Sequence, residues 1–286
     1  MASRPDTNPD MLDHAAEPAV GYVEVGEVEL YYEVRGSGAP ILVIGAADED
    51  AEIYRGIAER LADTSTVVTY DRRGTGRSGS IGWPTDSARH ADDAAALITS
   101  LRLDDITVFG ASAGGIVALS LALRHPTGLR TVLCYEPGVF SATEDAEALR
   151  VRVESAVQEH LRSHPQDWSG ATEELGRAAA SSLPDTTSLF SAPPDKEWFA
   201  RRTNDNAESL IRGDVPLTRE RFDPDAVAKS PVNLRFAYGT ASHPIFEQIA
   251  SHLAAIRGEK ADAIDGMGHL AFYQPNAVTT YIRNWT

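Results

Sequence analysis

The sequence predicts an α/β architecture: a mostly parallel sheet covered by helices on both faces, with a helical insertion late in the chain. Three observations predict it. From residue 41 onward, apolar strand-like runs alternate with helix-period stretches, the pattern of parallel strands buried on both sides. Before them, GYVEVGEVELYYEVRG alternates apolar and polar residues and predicts an antiparallel hairpin over 20–38. Between Glu136 and Asn233 lies an interval of about ninety residues without a core strand, too long for a structureless loop in a compact domain.

Element by element, parallel strands are expected at 41–44, 65–70, 105–109, 131–135, 233–238 and 261–264. Helices are expected at 50–61, 87–101, 114–124, 244–257 and 277–285, the last following Pro275, a helix-start residue. The runs AEALRVRVESAVQEHLRSH and ATEELGRAAASSL fill the long interval and predict a helical cap. The expected organisation is a disordered leader over 1–19, a core over 20–137 and 232–286, and a cap over 138–231. With 286 residues, one large domain carrying an insertion is the expected scale.

Composition narrows the function classes. The net charge is −16, which repels phosphate backbones and anionic membranes, so neither nucleic acid nor membrane is an expected partner. The only cysteine, Cys134, rules out an intrachain disulfide and a Cys-built zinc site. The start of the chain has no charged n-region followed by an apolar run, so a cytoplasmic location is expected. The uncharged stretch 106–123 is broken by Gly110, Ser112, Gly114 and Gly115 and reads as strand, turn and buried helix. Asp48, Glu49 and Asp50 are expected to cap the following helix, and no other His/Asp/Glu cluster has metal spacing.

Chemistry concentrates at Gly110-Ala111-Ser112-Ala113-Gly114, where the strand over 106–109 must turn into a helix. A serine in such a strand–turn–helix elbow is strained, and its hydroxyl is pushed out at the carboxyl edge of the sheet. The amide of Ala113 at the helix start can hold an oxyanion. His269, in Asp265-Gly266-Met267-Gly268-His269-Leu270 after the last strand, is placed to return a base to that edge. The helix-borne His90, His125, His160, His164 and His252 are expected to be solvated.

With these residues in view, the chain resembles the α/β-hydrolase superfamily from about residue 20 to its end. Asp71-Arg72-Arg73-Gly74-Thr75-Gly76-Arg77-Ser78 resembles the D-x-R-G-x-G-x-S turn of that superfamily. The overlapping G-x-G-x-x-G from Gly74 to Gly79 is not followed by a helix and does not read as a dinucleotide site. Many relatives carry an aspartate in a G-x-x-D turn after the post-cap strand. Here that turn is Gly239-Thr240-Ala241-Ser242, so the acid must come from elsewhere. Glu136, ending the pre-cap strand, keeps the order Ser112, Glu136, His269; Asp265 is the rival.

Glutamate at that strand end resembles the zearalenone-type lactonases. Cys134-Tyr135-Glu136-Pro137, Gly266-Met267-Gly268-His269 and the cap segment Trp198-Phe199-Ala200-Arg201 are similar to segments of that group. The resemblance implies Trp198 as a substrate contact, and a second oxyanion amide from Ala47, with Ala46 as the alternative, beside Ala113. Trp168, Phe190, Trp198 and Phe199 are the cap aromatics that could face an apolar substrate or fill the cap core.

The expected function is a cofactor-independent serine hydrolase of carboxylic esters, with a small hydrophobic ester or lactone as its partner molecule. Carbon–carbon bond hydrolysis, perhydrolysis and acyl transfer share the same fold and triad, and a non-catalytic sensor on the same scaffold is the alternative from another class. The oligomeric state, including a homo-oligomer, is left open by the sequence.

Overall fold

The computed structural model describes residues 17–180 and 196–286. The first sixteen residues of the expected leader lie outside the described residues. The hairpin is β1 (Ala19–Val25) and β2 (Val28–Arg35), antiparallel and turned at Gly26, whose φ is 62°. Next come β3 (Ala39–Ile44), α1 (Arg55–Leu61), β4 (Ser65–Tyr70), α2 (Ser87–Ser100), β5 (Ile106–Ala111), α3 (Ala113–Arg124) and β6 (Leu129–Tyr135). A helical segment follows: α4 (Glu144–Ser163), α5 (Trp168–Ala180), α6 (Lys196–Asp205), a π-helical turn (Ser209–Asp214), α7 (Val215–Leu217) and α8 (Pro224–Lys229). The chain then returns through β7 (Asn233–Gly239), α9 (Pro244–Ile256), β8 (Asp262–Ile264) and α10 (Pro275–Arg283).

The eight strands form one sheet in the order β1-β2-β4-β3-β5-β6-β7-β8, parallel from β4 through β8. This is the α/β-hydrolase fold, with cap helices α4 and α5 after β6. Successive strand residues point to opposite faces, and the packing follows. Leu42, Ile44, Val108 and Val132 pack with the residues of α2, α3 and α9. Ile41, Val43, Phe109 and Leu133 pack with Ile57 of α1 and Ile282 of α10. The uncharged stretch over 106–123 is β5, a turn and α3, whose residues are buried from Ala113 to Ala122.

Two expectations are corrected. The helix expected over 50–61 begins as a 3-10 turn, Ala51–Tyr54, before α1. Of the three acidic residues ahead of it, Asp50 is the cap, accepting from the amides of Glu52 and Ile53. His90, expected in solvent, is 1% exposed. It shares the inner face of α2 with Ala94, Leu97 and Asp93, whose carboxylate binds the Arg73 guanidinium through two bonds of 2.8 and 2.6 Å. Burial, and then the charges of Arg72 and Arg73, push the His90 imidazole well below its usual range.

Candidate active site

Ser112 sits between the last residue of β5 and the first of α3 with φ 50° and ψ −114°, a region costly for any residue with a Cβ. Two glycines make the turn physically feasible. A Cβ on Gly110 would lie 2.3 Å from the Gly114 carbonyl oxygen, and one on Gly114 would lie 2.2 Å from that of Ile44. The turn is tied to its neighbours: the Ser112 amide donates to the Tyr135 carbonyl at 3.0 Å, and the Ser112 carbonyl accepts from the Gly138 amide at 3.0 Å.

Glu136 follows β6 and also has a left-handed backbone, with φ 43°. Its side chain is fully buried. Oε1 accepts from the Gly239 amide at 2.8 Å, and Oε2 lies 2.6 Å from Nδ1 of His269. The turn after β7, which lacks an acid of its own, thus supplies a backbone donor to a carboxylate from the neighbouring strand. His269 is held from several sides. Tyr135 Oη donates to the Gly268 carbonyl at 2.7 Å, and the Gly268 amide donates to Oε1 of Gln274 at 2.6 Å. The Phe246 ring stacks on the imidazole, with centroids 4.1 Å apart and planes 14° apart. Asp265 is exposed and accepts from the Thr240 hydroxyl at 3.2 Å. A carboxylate on Nδ1 selects the tautomer whose Nε2 can accept a proton, and it stabilises the imidazolium that results.

Ser112 and His269 line one cavity of about 310 Å3, together with Ala47 and Ala113. The Ala46 amide is engaged with Oε2 of Glu49 at 2.8 Å and Oη of Tyr54 at 3.3 Å. Among the described residues, the amides of Ala47 and Ala113 have no hydrogen-bond partner. The loop that carries Ala47 is braced from both sides. Arg72 donates to the Ala46 carbonyl at 2.8 Å, and Asp214 accepts from the Asp48 amide at 2.8 Å. Arg72 and Asp214 pair with each other at 2.7 Å, both almost fully buried. Burial opposes the guanidinium charge of Arg72, but Asp214 outweighs it and raises its pKa. The superfamily-like turn 71–78 therefore reaches the site through Arg72.

Phe140, Phe246, Phe272 and Tyr54 face the cavity. Trp168 packs on Val157, Ala171 and Ile211 and so fills the cap core, one of the two roles open to the cap aromatics. Phe190 lies outside the described residues, as do the side chains of Trp198 and Phe199. Sequence reasoning also missed Glu49, Asp214 and Phe246. Glu49 was hidden in an acidic triplet, and Asp214 and Phe246 sit in helical sequence with no local signature of a site.

The model of the alpha/beta hydrolase family matches residues 29–280. The chain belongs to the alpha/beta hydrolase family. Among curated proteins, this chain is 36% identical over 121 residues to the uncharacterized hydrolase YraK of Bacillus subtilis, covering 41% of this chain and 44% of that protein. It is 27% identical over 152 residues to 2-(acetamidomethylene)succinate hydrolase of Mesorhizobium japonicum, covering 51% and 55%. The matches therefore span about half the length of these relatives. Among solved structures, it is similar to Est816, described as an N-acyl homoserine lactone degrading enzyme, with TM-score 0.71, 20% identity and coverage of 93% and 100%. It is also similar to an esterase of Exiguobacterium antarcticum, with TM-score 0.73, 18% identity and coverage of 92% and 98%. At these identities the likeness is one of fold. Among the described residues, no helix is long and apolar enough to cross a membrane.

Proposed function

We propose that this protein is a serine hydrolase of carboxylic esters that acts on a hydrophobic lactone through an acyl-enzyme. The observation that carries the reading is the 2.6 Å contact between Glu136 and Nδ1 of His269, on a cavity that Ser112 also lines. Ser112 Oγ attacks the acyl carbon while Nε2 of His269 takes its proton. The negative charge that develops on the carbonyl oxygen is held by the amides of Ala47 and Ala113; a donor of this kind contributes about 3 kcal/mol in the transition state. His269 then gives its proton to the leaving oxygen, and Glu136 stabilises the imidazolium between these steps. Water deprotonated by His269 attacks the acyl carbon and releases Ser112. In a lactone the leaving alcohol stays attached to the acyl group, so one ring-opened product departs.

The cap, 138–231, sits over a core of 20–137 and 232–286 in this reading. Leu149, Leu175, Leu210 and Val215 bring its apolar side chains to the cavity, which favours an apolar acyl or ring portion. The resemblance to zearalenone-type lactonases supports a lactone over a simple ester. An activated fluorophosphonate is expected to label the wild type and leave Ser112→Ala unlabelled. Macrocyclic lactones are expected to be turned over with higher kcat/KM than short aryl esters. An unlabelled wild type would favour the sensor alternative, and a clear preference for short aryl esters would remove the lactone assignment.

A further inference from the structure

We propose that Glu49 is a substrate-contacting hydrogen-bond donor: in its neutral form it offers a proton from Oε1 to an acceptor oxygen on an otherwise apolar ester or lactone. The ligand class rests on the serine-hydrolase reading above; the role of Glu49 rests on its own geometry.

Glu49 lines the cavity although its residue surface is 5% exposed. Oε2 accepts from Tyr54 Oη at 2.5 Å and from the Ala46 amide at 2.8 Å. With both donors aimed at Oε2, Oε1 is the oxygen placed to carry the proton of the neutral carboxyl. Among the described residues Oε1 has no hydrogen bond, yet it is not among the sealed, partnerless side-chain atoms. Oε1 is therefore the carboxyl oxygen available to a ligand in the cavity that Glu49 lines. A buried carboxyl in such surroundings favours the uncharged form, and an acid kept neutral can donate where a carboxylate cannot.

The charged groups around it act in both directions. Burial raises the Glu49 pKa, and it outweighs the opposing effects of Tyr54, the Ala46 amide, His269 and Arg72, so the carboxyl is pushed up to about 7. Arg72 is itself neutralised by Asp214 from the cap side. Asp48 and Asp50 flank Glu49 in the chain, and Arg150 and Glu154 of α4 line the same cavity as an ion pair 2.7 Å apart. Glu49 is thus poised to change from donor to anion close to neutral pH, next to the loop that carries Ala47.

The test is binding of octan-2-one, which offers one acceptor oxygen on an apolar chain, measured calorimetrically from pH 6 to pH 9. The background is Ser112→Ala, so that no acyl chemistry or covalent adduct contributes. Affinity is expected to fall roughly tenfold per pH unit above about 7. Adding Glu49→Gln, which keeps an acceptor for Tyr54 and Ala46 and a donor for the ligand, should abolish that fall and leave affinity at pH 6 within a few-fold. Tyr54→Phe removes a bond that lowers the Glu49 pKa, so the fall should move to higher pH. Loss of binding at pH 6, a flat profile, or the same fall in the Gln variant would each overturn the proposal. Phosphonate labelling of the wild type judges Ser112 separately, so the two readings fail in different experiments.

Discussion

The sheet and the cap share one cavity and are held together by different forces. Every residue of β5 is buried, and α3 is buried continuously from Ala113 to Ala122. In α4, a helix of twenty residues, only Ala146, Leu149 and Val157 are buried. Val153 and Leu161 add partly buried apolar contacts, and much of the rest is ionic: Arg150 with Glu147 and Glu154, and Arg219 with Glu154. A close-packed core resists displacement because each lost methylene leaves a void. An exposed ion pair such as Arg162–Glu159 on the same helix contributes little, since water competes for both charges. The side of the site built on the sheet is therefore set rigidly, whereas the cap side can change its residues at small cost. Arg72–Asp214 bridges the two regimes: it joins a guanidinium of the core to a carboxylate of the cap segment, and both are buried like the core.

The largest expected effect lies on the sheet side. Glu136→Gln should lower kcat by roughly 10^3- to 10^4-fold, because the amide favours the wrong imidazole tautomer, while the melting temperature changes little. Near-normal turnover would move the acid elsewhere, with Asp265 next to be replaced.

Asp214→Ala should be the most damaging change on the cap side. It strands the buried Arg72 charge and should cost about 3–5 kcal/mol in urea unfolding. It also removes the brace on the Asp48 amide, so kcat should fall more than KM rises. Asp214→Asn, which keeps an acceptor for that amide, should retain more activity than Asp214→Ala. Equal stability of Asp214→Ala and wild type would show that the cap and core are not linked through this pair.

A smaller effect depends on pH. The unfolded chain takes up a proton on His90 near pH 6.5, while the folded chain resists it because of burial and Arg72 and Arg73. Below 6.5 the unfolded state therefore binds more protons, and stability falls with pH by roughly 1.4 kcal/mol per unit until the folded imidazole also titrates. Above 6.5 the imidazole is neutral in both states and contributes no slope. Denaturation at pH 5.5 and 7.5 should show this loss in the wild type and a smaller one in His90→Gln.

The smallest effect is expected at the outer face of α4. Arg162 pairs with Glu159 there, and both side chains are mostly exposed. Arg162→Ala should change stability by under about 0.5 kcal/mol, and a larger loss would mean that the cap is held by its surface ions after all.

The parts of the site that were legible in the sequence are those whose geometry is local. The elbow at Ser112 follows from an apolar strand, two sterically required glycines and a helix start within a few residues. Glu136 was visible because it ends a strand next to the elbow. Asp214 was not, since its partner Asp48 lies 166 positions away and nothing in SLIRGD marks it as a brace. His90 was misplaced because a polar residue on a helix suggests solvent, whereas the period of α2 turns that position inward.

By itself the chain determined its alternation of strands and helices and the strained serine turn, because periodicity and steric limits at glycine act over short spans. Only the folded arrangement decided which oxygen of Glu136 meets His269, which amides near Ala47 are engaged, and that Glu49 turns inward while Asp50 caps a helix. Those outcomes depend on distances between residues far apart in the chain and on the loss of water around buried charges, and both exist only once the sheet and cap have closed on each other.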